Sequence, residues 1–110
     1  MYLKQFKKKF GVKRSNKNMD RMYAFQLALA ESEDIEEKSD REALKYQRDA
    51  LHTIIAYLKD VLKLNAKQCE TLDDMDYQET IELANYVSMR LMGMSDEEIK
   101  KAEEEEPGEE

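Results

Sequence analysis

The chain has 110 residues, of which 39% are charged and 41% hydrophobic, with three glycines, one proline and a net charge of −7. That length carries one modest core and leaves no room for separate cofactor and substrate lobes, and the scarcity of Gly and Pro points away from a turn-rich β fold. A single cysteine, Cys69, excludes an internal disulfide, and the longest apolar run, Ile54–Leu58, falls far short of the roughly 18 residues a membrane span needs. The expected class is all-α, a small helical domain of about four to five helices, soluble and cytoplasmic.

Charge is unevenly placed. Residues 1–30 carry eight Lys and Arg against Asp20 alone, a net of +7, whereas residues 96–110 carry nine acids against Lys100 and Lys101, a net of −7. Such polarity implies that the two ends attract each other or address different partners.

The first segment, 1–17, "MYLKQFKKKFGVKRSNK", sets Leu3, Phe6 and Phe10 at helical spacing among lysines, with Gly11 as a stop. It reads as a basic amphipathic N-terminal arm, and it lacks the apolar stretch of a signal peptide. A helical domain is expected over 18–102. Its first helix spans Met19–Ala30, with Asn18 as cap and Met19, Met22, Tyr23, Leu27 and Ala30 as the apolar stripe. The run "ESEDIEEKSD" then interrupts the periodicity as a solvated linker or a frayed helix end.

Ser39 followed by Glu42 forms a capping-box pattern, in which the hydroxyl satisfies a free N–H and the glutamate reaches back to the cap. Behind it Leu44, Ala50, Leu51, Ile54, Ile55, Leu58, Val61 and Leu62 recur every three or four residues, which predicts the longest helix and the backbone of the core. Asn65 with Gln68 opens a short helix to about Leu72. Asp76 with Glu79 opens another, with Tyr77, Ile81, Ala84, Val87 and Leu91 on one face and Gly93 at the left-handed position that ends it. Ser95 with Glu98 caps a last helix whose acids Asp96 and Glu97 suit the positive end of the helix dipole. Glu103–Glu106 repel one another ahead of Pro107 and Gly108, so residues 103–110 read as a disordered acidic tail.

No catalytic constellation emerges. His52 is the only histidine, too little for a zinc site and without a partner as a general base, and it reads as a residue at the edge of the core. Cys69 reads as a buried, inert thiol. Starting a calcium loop at Asp74 puts Glu79 at the sixth position and Asn85 at the twelfth, where glycine and a bidentate glutamate are required, so "DDMDYQE" is a turn and a cap. Neither metal nor cofactor is expected. The lysines of residues 1–21, interleaved with Tyr2, Phe6 and Phe10, would suit a small nucleic-acid-binding regulator, but no known nucleic-acid motif accompanies them and the acidic remainder would repel a polyanion. Met89, Met92 and Met94, with Met75 and Tyr86 nearby, gather soft, adaptable side chains around the end of one helix, a composition suited to binding varied apolar helices, although methionine also simply fills gaps in cores.

The stretch Leu58–Glu106, with its "LKLNAKQ" helix start, "LDDMDYQET" turn, "YVSMRLMGMSDEEI" helix broken at Gly93 and acidic end, resembles the tail assembly chaperones of long-tailed phages that infect Gram-positive bacteria. The resemblance implies a non-enzymatic protein of the host bacterial cytoplasm that coats the helical tape measure protein and keeps it soluble while the tail tube forms. Many relatives open with a small β-rich segment, and "MYLKQFKKKFGVKRS" does not read that way. Tyr86, Met89, Leu91, Met92 and Met94, with Leu3, Phe6 and Phe10 of the arm, are the expected partner-binding residues. The expected partners are the tape measure protein, the tail tube protein and a second copy of the chain, with no membrane or nucleic acid.

Overall fold

The computed structural model describes residues 1–105. A two-stranded antiparallel hairpin, β1 (Tyr2–Leu3) and β2 (Lys8–Lys9), precedes five helices: α1 (Asn16–Glu33), α2 (Asp40–Leu62), α3 (Ala66–Asp73), α4 (Tyr77–Leu91) and α5 (Asp96–Glu105).

The hairpin replaces the helix that the spacing of Leu3, Phe6 and Phe10 predicted. Tyr2 pairs with Lys9 and Leu3 with Lys8, and the Met1 ammonium donates to Phe10 O at 2.9 Å. A ten-residue helix ending at Gly11 with Lys7, Lys8 and Lys9 in succession would have little to offset the cost of nucleation. The hairpin instead buries Leu3 in the helical core and rests Met1, Phe6 and Phe10 on it, while the lysines stay in solvent. Lys7, at φ 51°, makes the left-handed turn that closes the loop.

Helix α1 is longer than predicted and turned on its axis. Its cap is Ser15, whose hydroxyl accepts the Asn18 N–H at 3.1 Å. Asn18, expected as the cap, is buried inside the helix, where its Nδ2 donates to Lys13 O at 2.8 Å. The buried face is Asn18, Met22, Phe25 and Ser32. Tyr23, Leu27 and Ala30 of the predicted stripe point outward. Phe25, absent from that stripe, is fully buried, and Leu29, also absent, packs against the core.

Helices α1 and α2 lie antiparallel. The Phe25 ring stacks on Tyr57 at 5.1 Å, and Arg21 reaches Asp60 at 3.8 Å. The Ser39–Glu42 box forms in both directions, and Ala50, Ile54, Leu58, Val61 and Leu62 are buried as the pattern required. Of the rest of that stripe, Leu51 and Ile55 are half-buried and Leu44 is 66% exposed. The Asn65–Gln68 box also closes in both directions. Asp76 accepts the Glu79 N–H at 3.2 Å and so caps α4, whose Leu83, Ala84, Val87 and Leu91 complete the core. Tyr77, predicted to join that face, is exposed, and Leu83 occupies the core in its stead.

One polar link crosses the core. The Tyr57 hydroxyl donates to Ser88 Oγ at 2.8 Å, and Ser88 Oγ donates to Ala84 O at 2.8 Å, so both hydroxyl protons are used. Burial pushes the Tyr57 phenol up to about 12.

Candidate functional site

Gly93 makes the C-terminal end of α4. At φ 94° it holds the left-handed conformation, its N–H donates to Arg90 O at 3.0 Å, and the Met94 N–H donates to Met89 O at 3.1 Å. This pair of bonds is the Schellman arrangement, which satisfies the last helical carbonyls and turns the chain back. The expected Ser95–Glu98 box follows at once, with Glu98 N–H to Ser95 Oγ at 3.1 Å and Ser95 N–H to Glu98 Oε1 at 2.9 Å. The Ser95 N–H holds the Glu98 carboxyl below its ordinary value. Two successive local motifs therefore fold α5 back beside α4.

The contact between them is thin. Ile99 is the one buried hydrophobic residue of α5 among the described residues. The rest is polar: Tyr86 Oη donates to Asp96 Oδ1 at 2.5 Å, and Arg90 donates to the same oxygen at 3.0 Å. Partial burial and the Asp96 carboxylate push the Tyr86 phenol up to about 12, and the Tyr86 hydrogen bond, followed by the Arg90 charge, draws the Asp96 carboxyl below its ordinary value.

Between α1, α4 and α5 lies an open groove of about 420 Å³ lined by Gln26, Glu82, Asn85, Tyr86, Ser88, Met89, Met92, Ala102 and Glu103. Tyr86 and Met89 are half-buried, and Met92 is 46% exposed. Three of the predicted partner-binding residues thus share one surface. Met94 is half-buried at the turn into α5. The remainder are dispersed: Leu91 and Leu3 are fully buried in the core and unavailable to a partner, and Phe6 and Phe10 pack on the core and on each other edge to face, 5.6 Å between centroids. Of the aromatics set among the N-terminal lysines, only Tyr2 is exposed.

A second apolar groove, about 600 Å³, was not foreseen. It lies where the α1–α2 hairpin meets the start of α4, and Leu29, Leu44, Leu51, Tyr77 and Ile81 supply its apolar wall. Leu44 and Tyr77 were assigned to the core because they continue the periodic stripes of their helices. Their places in the first turns of their helices are the signal that would have set them apart.

His52 is exposed, and Cys69 is half-buried with its thiol 3.8 Å from Leu64 O. Among the described residues, no cluster of three or more His, Cys, Asp or Glu is placed to hold a metal ion, and no helix is long and apolar enough to cross a membrane. Helix α5 continues through Glu105, past the boundary at Ala102 expected for the start of the tail, and residues 106–110 of that expected tail lie outside the described residues.

No curated protein and no solved structure matches the chain. The model of one family, described as phage tail assembly chaperone proteins, matches residues 1–106, and therefore covers both the hairpin and the helical domain. The chain belongs to the phage tail assembly chaperone family.

Proposed function

We propose that this chaperone binds the tape measure protein, and that it does so by laying an amphipathic helix of that client along the groove of Tyr86, Met89 and Met92. The observation that supports this reading is the pairing of flexible thioethers with partial exposure. Met89 and Met92 stand outside the core cluster, so they can change rotamer to fit successive client segments without disturbing the fold. A chaperone for a long helical protein has to accept many related faces weakly, and methionine suits that better than branched side chains held in one rotamer.

Charge supplies the second part. The exposed acids of α5 would keep a coated client in solution in the host cytoplasm, since net charge opposes association of the complexes. The role is non-enzymatic. Binding is tested by co-expressing the chain with its tape measure protein and measuring how much client stays soluble and co-purifies. Replacing Met92, the most exposed of the three, by Asp should lower co-purification several-fold, and wild-type recovery with that variant would refute the groove as the binding surface.

A further inference from the structure

The outward face of α1 carries a pattern that the client groove leaves unused. Asp20, Tyr23, Leu27 and Ala30 follow one another at alternating three- and four-residue intervals, the spacing that keeps side chains on one seam between two paired helices. Tyr23 is 55% exposed and Leu27 66%, the latter level with Leu44 as the most exposed large apolar side chains described. They lie on the side of α1 opposite Met22, Phe25 and Ser32, and no described residue covers them.

We propose that this seam pairs with the same seam of a second copy, the two α1 helices running antiparallel about a two-fold axis. Antiparallel pairing with Tyr23 of each copy against Leu27 of the other sets Asp20 beside the small Ala30, where the carboxylate can reach solvent. The same register brings Lys17 of one copy to Glu31 of the other and places Asn16 near Asp34. The ends agree as well. Residues 13–21 carry four cations against Asp20, and residues 31–37 carry five acids without a cation. A helix basic at its start and acidic just past its end is complementary to its own reversed copy, whereas a parallel pair would set like charges together at both ends. An unrelated helical partner would place no such demand on a single helix. The seam is about two heptads of one helix, well below the roughly 800 Å² per partner of a standard interface, so the dimer is a weak one that dissociates on dilution.

The proposal does not depend on the identity of the client. Light scattering should give twice the 13.0 kDa chain mass at high concentration and the chain mass on dilution. Leu27→Glu, a change at an exposed site, should stay monomeric throughout with an unchanged helical spectrum. Orientation is read by oxidation in a Cys69→Ser background. A mixture of the Tyr23→Cys and Leu27→Cys chains should form a cross-linked dimer, because the two positions face each other within disulfide reach, and neither chain alone should. A monomer at every concentration, a dimer that survives Leu27→Glu, or cross-linking of either chain alone would overturn the proposal. A monomer whose Leu27→Glu variant loses its tape measure protein would assign the stripe to the client.

Discussion

The side of α4 packed on α1 and α2 and the side that meets α5 differ in what holds them. Toward α1 and α2 the helix is fixed by fully buried Leu83, Ala84, Val87 and Leu91 and by the Tyr57–Ser88 hydrogen bond, all within one packed cluster. Toward α5 it is fixed by Ile99, a left-handed glycine, a capping box and the Tyr86–Asp96–Arg90 contact at the surface. Buried apolar volume is close-packed and resists change, while exposed polar contacts contribute little and reopen easily. The core side of α4 is thus the rigid end of the molecule and the α5 side its pliable end, and low local stability is expected where binding surfaces lie.

Substitutions can break this contrast, beginning with the largest effect. Leu58→Ala removes a fully buried side chain of the rigid end and should cost about 2–5 kcal/mol in urea unfolding. A loss under about 1 kcal/mol would show the core to be loosely packed. Ile99→Ala should undock α5, seen as faster amide exchange over 96–105 with exchange in α2 unchanged. Equal acceleration in both helices would mean that the two ends unfold as one unit and would abolish the distinction. Gly93→Ala strains a position at φ 94° and should cost about 1 kcal/mol. The added methyl meets only the Arg14 guanidinium at 3.6 Å, so the penalty is one of backbone conformation and not of space.

Titration separates the two sides in acid and not in alkali, because each holds a raised phenol while the lowered carboxyls lie on the α5 side. The Tyr57 phenol is raised in the folded chain, from 10.0 to about 12, so its contribution is whole below pH 10 and disappears as pH climbs from 10 toward 12. Tyr57→Phe should flatten that alkaline decline, and an identical slope in the variant would show that the phenol is not what titrates. The Asp96 carboxyl is lowered in the folded chain, so its contribution is present above the ordinary carboxylate value and is lost as pH falls through the lower folded value. Acid should therefore release α5 first, with exchange over 96–105 rising before the tyrosine–phenylalanine stack is disturbed. Smallest of all, Met92→Ser should change global stability by less than about 0.5 kcal/mol, as surface substitutions generally do.

Most helix starts were legible because they are written in adjacent residues. Ser39, Asn65, Asp76 and Ser95 each precede a residue three positions on that receives or returns a hydrogen bond, and each caps a helix. Gly93 was legible for the same local reason. What a helix faces is a tertiary matter, and there periodicity misled. In α1 both Tyr23–Leu27–Ala30 and Met22–Phe25–Leu29 recur at helical spacing, and only the position of α2 decides that the second set is buried. The N-terminal hairpin was missed since Leu3, Phe6 and Phe10 fit a helix as well as they fit a strand, a loop and a strand end. Its stability comes from the core that Leu3 enters, which no window of ten residues contains. The candidate site was half visible: Tyr86, Met89 and Met92 converge, while Leu91, one position before Met92, turns inward because the helix carries successive residues to different faces.

The most direct measurement is quantitative co-purification of the tape measure protein with the wild-type chain and with a Met89→Gln, Met92→Asp double variant, alongside urea unfolding of both. If the pliable end binds the client, the variant retains its unfolding free energy to within about 1 kcal/mol and loses most of the co-purified client. Undiminished recovery with a stable variant would contradict the account and place the client on another surface, the groove of Leu29, Leu44, Leu51, Tyr77 and Ile81 being the next to test.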